Sequence, residues 1–337
     1  MGQQKSENLT SAQAGEQMQA PAWRHHHILD LDDLSCAEIE IVMQTTDAMT
    51  EVLSREVKRV PTLRGKTVVT LFYEASTRTR ASFEMAAKNL SADVVSFAAS
   101  GSSVEKGESL IATLRTVQAL GADAIVIRHS QSGAPYVAAR NVKASVINAG
   151  DGWHAHPSQA LLDLYTLRRH FGTVKGLRIV ILGDILHSRV ARSNIWGLTS
   201  MEAEVVLCGP PTLMPPIPCS KPPLPGDVLP RVEMETDIEQ ALDGADAVMP
   251  LRLQKERMQA GLLPSVREYV QLYQLTEKRL QLAKKEAIVL HPGPVNEGVE
   301  IAPGVAYGSR SVIEEQVSVG VAVRMALLFL VIGGGRR

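Results

Sequence analysis

Aromatic side chains are scarce in this 337-residue chain, at 4%, too few to build a platform on which nucleic-acid bases could stack. An excess of one charge is missing as well. The formal net charge of -1 argues against a nucleic-acid-binding face while leaving room for a local basic pocket. The only cysteines, Cys36, Cys208 and Cys219, show neither CxxC nor HxxxH spacing, so no disulfide framework or zinc site is indicated and a reducing cytoplasm is the expected compartment. The phosphate-cradling pattern GxxxxGK[ST] is absent. So is GxGxxG: the candidate turn reads Gly183-Asp184-Ile185-Leu186-His187-Ser188 and lacks the second and third glycines, which discounts a dinucleotide site. The apolar run from Val317 to Gly335 is interrupted by Ser318 and Arg324 and closed by glycines, as in a buried terminal helix rather than a membrane span. Residues 1–20 lack a basic stretch followed by an apolar one, so residues 1–24 are expected to form a disordered tail and not a signal peptide. His25, His26 and His27 are adjacent, and neighbours along a chain cannot all face one ion. No metal and no cofactor are expected.

What is present begins with bulk. With 45% hydrophobic and 21% charged residues, the chain can bury ample core, and its length favours two domains over one. The stretch from Leu71 to Glu84 stands out, because Ser76-Thr77-Arg78-Thr79-Arg80 packs three hydroxyls and two guanidinium groups into five residues. Before it, Thr67 to Phe72 is rich in β-branched and aromatic residues; after it, Phe83, Ala86, Ala87 and Leu90 recur at helical spacing. The junction is therefore strand, turn, helix. With Ser76 or Thr77 as N-cap, the first amides of the helix and the positive end of its dipole face the turn, and arginine adds a planar fork matched to phosphate oxygens.

The alternation continues along the chain. A helix over about 36–59 precedes the turn, with Ile39, Val42 and Met43 at helical spacing and Pro61 closing it. After the turn come a short strand at 94–97, a Gly/Ser-rich loop from Ala98 to Gly107, a helix marked by Leu110, Leu114, Val117 and Leu120, and apolar strands at 124–127 and 146–148. A second set follows: a helix with Leu161, Leu164, Leu167 and Phe171, then strands at 178–182, 204–207, 247–249 and 287–290, with a helix near 188–199 and a Pro-rich loop from Pro210 to Pro230. Strands apolar throughout, alternating with helices, predict an α/β fold with parallel sheets covered on both faces. Two domains are expected, 25–157 and 158–309, with a terminal helix in 310–337 returning to the first.

Open parallel sheets bind ligands at the carboxyl ends of their strands. The polar residues just after the expected strands are Ser76 to Arg80, Ser102 to Lys106, Arg128-His129, Asp151 to Gln159, Gly183 to Arg189, Arg252 to Lys255 and His291 to Pro294. Nearly all are donors, which suits substrates carrying several negative charges. His129, His154 and His187 are expected to be structural.

In order and spacing these stretches resemble the transcarbamoylase family from about residue 25 onward, Ser-Thr-Arg-Thr-Arg being its carbamoyl-phosphate signature. Within the family they resemble the aspartate branch. Ornithine enzymes carry His-Cys-Leu-Pro and Asp-x-x-x-Ser-Met, whereas here the places read His291-Pro292-Gly293-Pro294 and Arg252-Leu253-Gln254-Lys255-Glu256-Arg257. Arginine suits an acceptor with two carboxylates and not a cationic side chain.

The resemblance implies transfer of the carbamoyl group of carbamoyl phosphate to the amine of L-aspartate, an early step of de novo pyrimidine synthesis. It implies that Ser76, Thr77, Arg78 and Thr79 hold the phosphate and that Thr79, Arg128 and His156 polarise the carbonyl. Gln159 and the turn at Pro292 would orient the carbamoyl NH₂. Arg189, Arg252, Gln254 and Gly293 would bind aspartate. Ser102 and Lys106 would reach into a neighbouring subunit's site, making a homotrimer with shared sites the minimal active unit, with a regulatory chain or a dihydroorotase as further partners left open. Two departures stand out: Glu105 precedes Lys106 where some relatives have two lysines, and Glu297 stands where relatives commonly carry Arg. The alternatives are a carbamoyltransferase for another amine, or a catalytically silent subunit of a pyrimidine-pathway complex.

Overall fold

The computed structural model describes residues 23–98, 109–215, 229–230, 232–254, 262–263 and 265–333. Residues 1–22 of the expected tail, the loop bearing Ser102, Glu105 and Lys106, most of the Pro-rich loop and residues 255–261 lie outside these. Trp23 packs partly buried against the core, donating its indole N–H to the His25 carbonyl at 2.8 Å.

The first set runs α1 (Cys36–Ser54), β1 (Thr67–Phe72), α2 (Thr77–Asn89), β2 (Asp93–Ala98), α3 (Leu110–Ala119), β3 (Ala124–His129), α4 (Ala134–Asn141), β4 (Ser145–Asp151) and α5 (Pro157–Phe171). The second runs β5 (Arg178–Leu182), α6 (Arg189–Ser200), β6 (Glu204–Cys208), β7 (Glu233–Glu235), α7 (Ile238–Leu242), β8 (Ala247–Pro250), α8 (Val266–Tyr273), α9 (Glu277–Leu280), β9 (Ile288–Val289), α10 (Pro303–Ala306) and α11 (Ile313–Ile332). The strands form two sheets, ordered β2-β1-β3-β4 and β7-β6-β5-β8-β9, with every pairing parallel. Each sheet therefore reverses its direction of growth once, between β1 and β3 and between β5 and β8. Those are the crevices where a ligand meets strand ends and helix N-termini.

Local chemistry explains the elements. A capping box between Ser35 and Glu38 starts α1. Pro157 opens α5, and Gly172 in the left-handed region ends it behind Arg168, Arg169 and His170, whose charges suit a helix C-terminus. Helix α5 is buried from Pro157 through Leu167. It packs against α1, α6 and α11, and one apolar cluster joins Val68 and Val126 of the first sheet, Leu161 of α5, Ile179 and Leu207 of the second sheet, and Val323 of α11. Helix α11 is long and apolar enough to cross a membrane, but most of it is buried, against α1, α2 and α5. It is a core helix that returns to the first sheet's side. One expected contact differs: Leu114 and Val117 are buried, but Leu120 caps α3 and stays 69% exposed.

The three adjacent histidines go to three different partners. His25 meets Glu38 at 2.9 Å, His26 meets the Lys143 carbonyl at 3.0 Å, and His27 Nδ1 accepts the Val146 N–H at 3.0 Å. Burial, reinforced by His26, lowers the pKa of His27 to about 4. As pH falls from about 6.5 to about 4 the unfolded chain takes up a proton that the folded one refuses, so stability is lost across that window. For a half-buried ring the loss should be about 1–2 kcal/mol. His27→Asn keeps an acceptor for Val146 without titrating, and its melting temperature should fall less than that of the unaltered chain between pH 7 and pH 5.

Candidate active site

Both crevices open onto one cavity of about 750 Å³. Its lining includes Ser76, Thr77, Arg78, Thr79, Arg128, His156 and Gln159 from the first set, and Arg189, Arg252, Gln254, Pro292 and Gly293 from the second. Every expected site residue within the described part of the chain thus faces one space. Ser102 and Lys106 lie outside the described residues. Among the described residues five arginines line the cavity, Arg78, Arg128, Arg189, Arg252 and Arg324, against a single carboxylate, Glu74. With His156 held neutral, that imbalance makes the space selective for anions.

At the β1 edge, Tyr73 N–H bonds the Arg128 carbonyl at 2.8 Å, which brings the turn after β1 beside the end of β3. Helix α2 begins at Thr77, and the Ser76 side chain makes no capping bond, so the first-turn amides remain available to a ligand. Arg78 is exposed, and partial desolvation lowers its pKa. Among the described residues no acid pairs with it. Its guanidinium lies against Gly293, where a Cβ would fall 2.6 Å from Nη2, and Gly293 has φ +60°. Only glycine lets the two come so close.

Glu74 joins the halves. Its Oε1 accepts from Arg128 Nη2 at 2.7 Å and from Arg189 Nη2 at 2.7 Å, and its Oε2 from Arg189 Nη1 at 3.0 Å. Arg189 also donates to the Gly152 carbonyl at 3.2 Å, and Arg128 to the Ala149 carbonyl at 3.1 Å. Gly150, at φ +115°, sits where a Cβ would lie 3.0 Å from both guanidinium groups. One carboxylate held by two cations leaves a net positive charge beside the cavity.

His156 precedes α5, its N–H donating to Ser193 Oγ at 2.9 Å. It is buried, and desolvation together with Arg128, Arg189 and Arg324 pushes its pKa well below the usual imidazole range. The ring is therefore neutral near pH 7 and can donate one N–H without carrying charge. Across the cavity, Asp184 accepts from His187 Nδ1 at 2.8 Å and from Gln254 N–H at 3.2 Å, tying the entry of α6 to the segment carrying Arg252. Trp153 meets His187 edge-on at 4.9 Å. The His291 turn is fixed from inside: His291 Nδ1 accepts Gly293 N–H at 2.8 Å, and Nε2 lies 3.2 Å from buried Glu300. Glu297 accepts the Tyr307 hydroxyl.

Glu74, Arg324 and Gln316 are lining residues to which the sequence assigned no role. Glu74 stood within the key stretch but is an acceptor among expected donors. Arg324 showed only as an interruption of the terminal apolar run; it donates to Ser82 Oγ at 2.9 Å, and burial lowers its pKa to about 10, which leaves it charged. Gln316 lies a turn into α11, where an amide in an apolar helix was the available signal.

The chain matches two family profiles: "Aspartate/ornithine carbamoyltransferase, carbamoyl-P binding domain" over residues 26–169 and "Aspartate/ornithine carbamoyltransferase, Asp/Orn binding domain" over residues 175–331. It is 58% identical over 311 residues to a protein of Dehalococcoides mccartyi, covering 92% of this chain and 93% of that one, and 60% identical over 310 residues to one of Chloroflexus aggregans, covering 92% and 99%. Both are named aspartate carbamoyltransferase catalytic subunit. Among solved structures it resembles aspartate transcarbamoylase from Trypanosoma cruzi in complex with carbamoyl phosphate and aspartate, with TM-score 0.82, 27% identity and coverage of 94% and 100%. It also resembles ornithine carbamoyltransferase from Pyrococcus furiosus, with TM-score 0.79, 26% identity and coverage of 94% and 99%.

Proposed function

We propose, from the premise that this chain belongs to the aspartate/ornithine carbamoyltransferase family, that it transfers the carbamoyl group of carbamoyl phosphate to the amine of L-aspartate, giving N-carbamoyl-L-aspartate and phosphate. The observation that carries this is the cavity whose described lining holds five arginines and one carboxylate, set at the strand ends of both sheets. The fold does not choose the acceptor, since aspartate and ornithine enzymes resemble it almost equally. Arg252 does: a cationic acceptor side chain would meet a cation, whereas a second carboxylate gains a fork of donors.

In this reading Ser76, Thr77, Arg78 and Thr79 hold the phosphate beside the open amides of α2. Thr79, Arg128 and neutral His156 donate to the carbonyl oxygen as it gains charge, the preorganised electrostatics that usually contributes most. Gln159 and the Pro292 turn accept from the carbamoyl NH₂. Arg252, Gln254, Gly293 and one edge of Arg189 hold aspartate, the other edge of Arg189 remaining on Glu74. The aspartate nitrogen attacks the carbonyl carbon, the C–N bond forms, the C–O bond to phosphate breaks, and the amine proton leaves on a phosphate oxygen. Juxtaposing two bound reactants lowers such a barrier by about 7–11 kcal/mol in favourable cases.

The domain limits 25–157, 158–309 and 310–337, the cytoplasmic location, the place early in pyrimidine synthesis and the homotrimer sharing sites through Ser102 and Lys106 belong to the same proposal. Assay of the purified chain with carbamoyl phosphate and aspartate, ornithine, putrescine or N-acetylornithine tests the reaction: turnover with aspartate alone is expected, and preference for any other amine overturns it. Mixing inactive Lys106→Ala and Arg78→Ala chains tests the shared site. Some activity should return on reassembly, and none would overturn the sharing.

A further inference from the structure

Asp163 lies at the centre of α5, fully buried, and no step above uses it. Its Oδ1 accepts from Gln159 Nε2 at 3.0 Å and from Gln316 Nε2 at 2.7 Å, and its Oδ2 accepts from Asn194 Nδ2 at 2.9 Å. All three partners are amides, whose orientation chemistry dictates here: a carboxylate has no proton to give, so each must present its NH₂. For Gln159, the NH₂ end is thereby occupied. Its Oε1, which no donor among the described residues engages, remains as the polar end for the cavity that Gln159 lines. Gln316 is fixed in the same way, and its Oε1 accepts the His291 N–H at 2.8 Å, anchoring the turn that carries the Pro292 carbonyl. One buried carboxylate thus sets two acceptors at the same wall of the cavity, one directly and one through a relay.

We infer that Asp163 is a positioning residue which makes this site select a donor bearing NH₂ over an acyl phosphate bearing CH₃ in its place, by locking the amide of Gln159 with its oxygen towards the ligand. The inference rests on the reaction proposed above and deepens it by naming the buried carboxylate that fixes which end of Gln159 meets the donor. Acetyl phosphate matches carbamoyl phosphate in shape and charge but has no N–H to give. Sites built to accept a substrate N–H reject analogues lacking it, because their own polar groups are left unpaired. Burial raises the pKa of Asp163 to about 7, with the three amides and Arg324 pulling the other way, so at pH 8 the carboxylate form prevails.

The test measures, at pH 8, the affinity of the whole chain for carbamoyl phosphate and for acetyl phosphate by calorimetry, and carbamoyl transfer to aspartate. The unaltered chain should prefer carbamoyl phosphate by about a hundredfold, and in Asp163→Asn the preference should fall below about tenfold while the aspartate KM stays within about threefold. Gln159→Met should lose the preference too, and the double variant should lose no more than either single one. The inference is overturned if the unaltered chain binds both phosphates alike, or if folded Asp163→Asn or Gln159→Met keeps the full preference. It is also overturned if Asp163→Asn, nearly isosteric, cannot fold at all, since the carboxylate would then be a requirement of the core. Absence of carbamoyl transfer by the unaltered chain would instead sink the proposed reaction, whichever phosphate it bound.

Discussion

Replacing Arg78 with alanine is expected to lower kcat about a thousandfold or more while leaving the melting temperature nearly unchanged. The two halves of that expectation come from the same observation. An exposed guanidinium that no described acid pairs with, its pKa lowered by partial desolvation, adds little to the fold, so its removal should cost little stability. Its use must therefore lie with a ligand. Beside the open first turn of α2, it adds a fork of charged donors to amides already aimed at an anion, and donors to charge that develops in a transition state are each worth about a hundredfold to a thousandfold. Lysine at this position keeps the charge but not the fork, so Arg78→Lys should recover only part of the loss. Near-normal turnover in Arg78→Ala, measured on a chain shown by melting to be folded, would remove the turn from the site.

The sheets were legible because their strands are largely apolar runs: Thr67–Phe72 and Arg178–Leu182 match their expected bounds, and the other expected strands differ by a residue or a few at either end. The elements that escaped are α8, at Val266–Tyr273, and several too short for periodicity to show. Strand β7 has three residues, two of them glutamate, and α7, α9 and α10 have four or five residues each. Helix α5 reads as amphipathic from Leu161, Leu164 and Leu167, yet it is buried on all sides. Its polar residues Ser158, Gln159 and Asp163 are therefore interior groups, Gln159 lining the cavity and Asp163 holding it, and little in the sequence signals that except the i, i+4 spacing of Gln159 and Asp163. The cationic lining was legible from donors clustered after strands. Glu74 was not, since a search for donors passes over the one acceptor that binds two of them across the sheets.

Arg252→Ala is expected to raise the KM for aspartate by about 30- to 150-fold, with the KM for carbamoyl phosphate changing by less than about threefold. A charge-assisted, two-pronged contact with a carboxylate contributes about 2–3 kcal/mol, and each 1.4 kcal/mol is tenfold. The split between substrates follows from position. Arg252 stands two residues past the end of β8, on the second sheet, and its segment is held through Gln254 N–H by Asp184 at the end of β5. The groups expected to hold the phosphate come from the first sheet, so they should survive the change. Succinate, a dicarboxylate without the amine, should weaken as a competitive inhibitor in parallel with aspartate, because the lost contact is to a carboxylate and not to the attacking nitrogen. A monocarboxylate that occupies only the other anchor should not. If the aspartate saturation curve were unchanged in the variant, the second carboxylate would be held elsewhere, and the charge argument for an aspartate acceptor would lose its footing in this cavity.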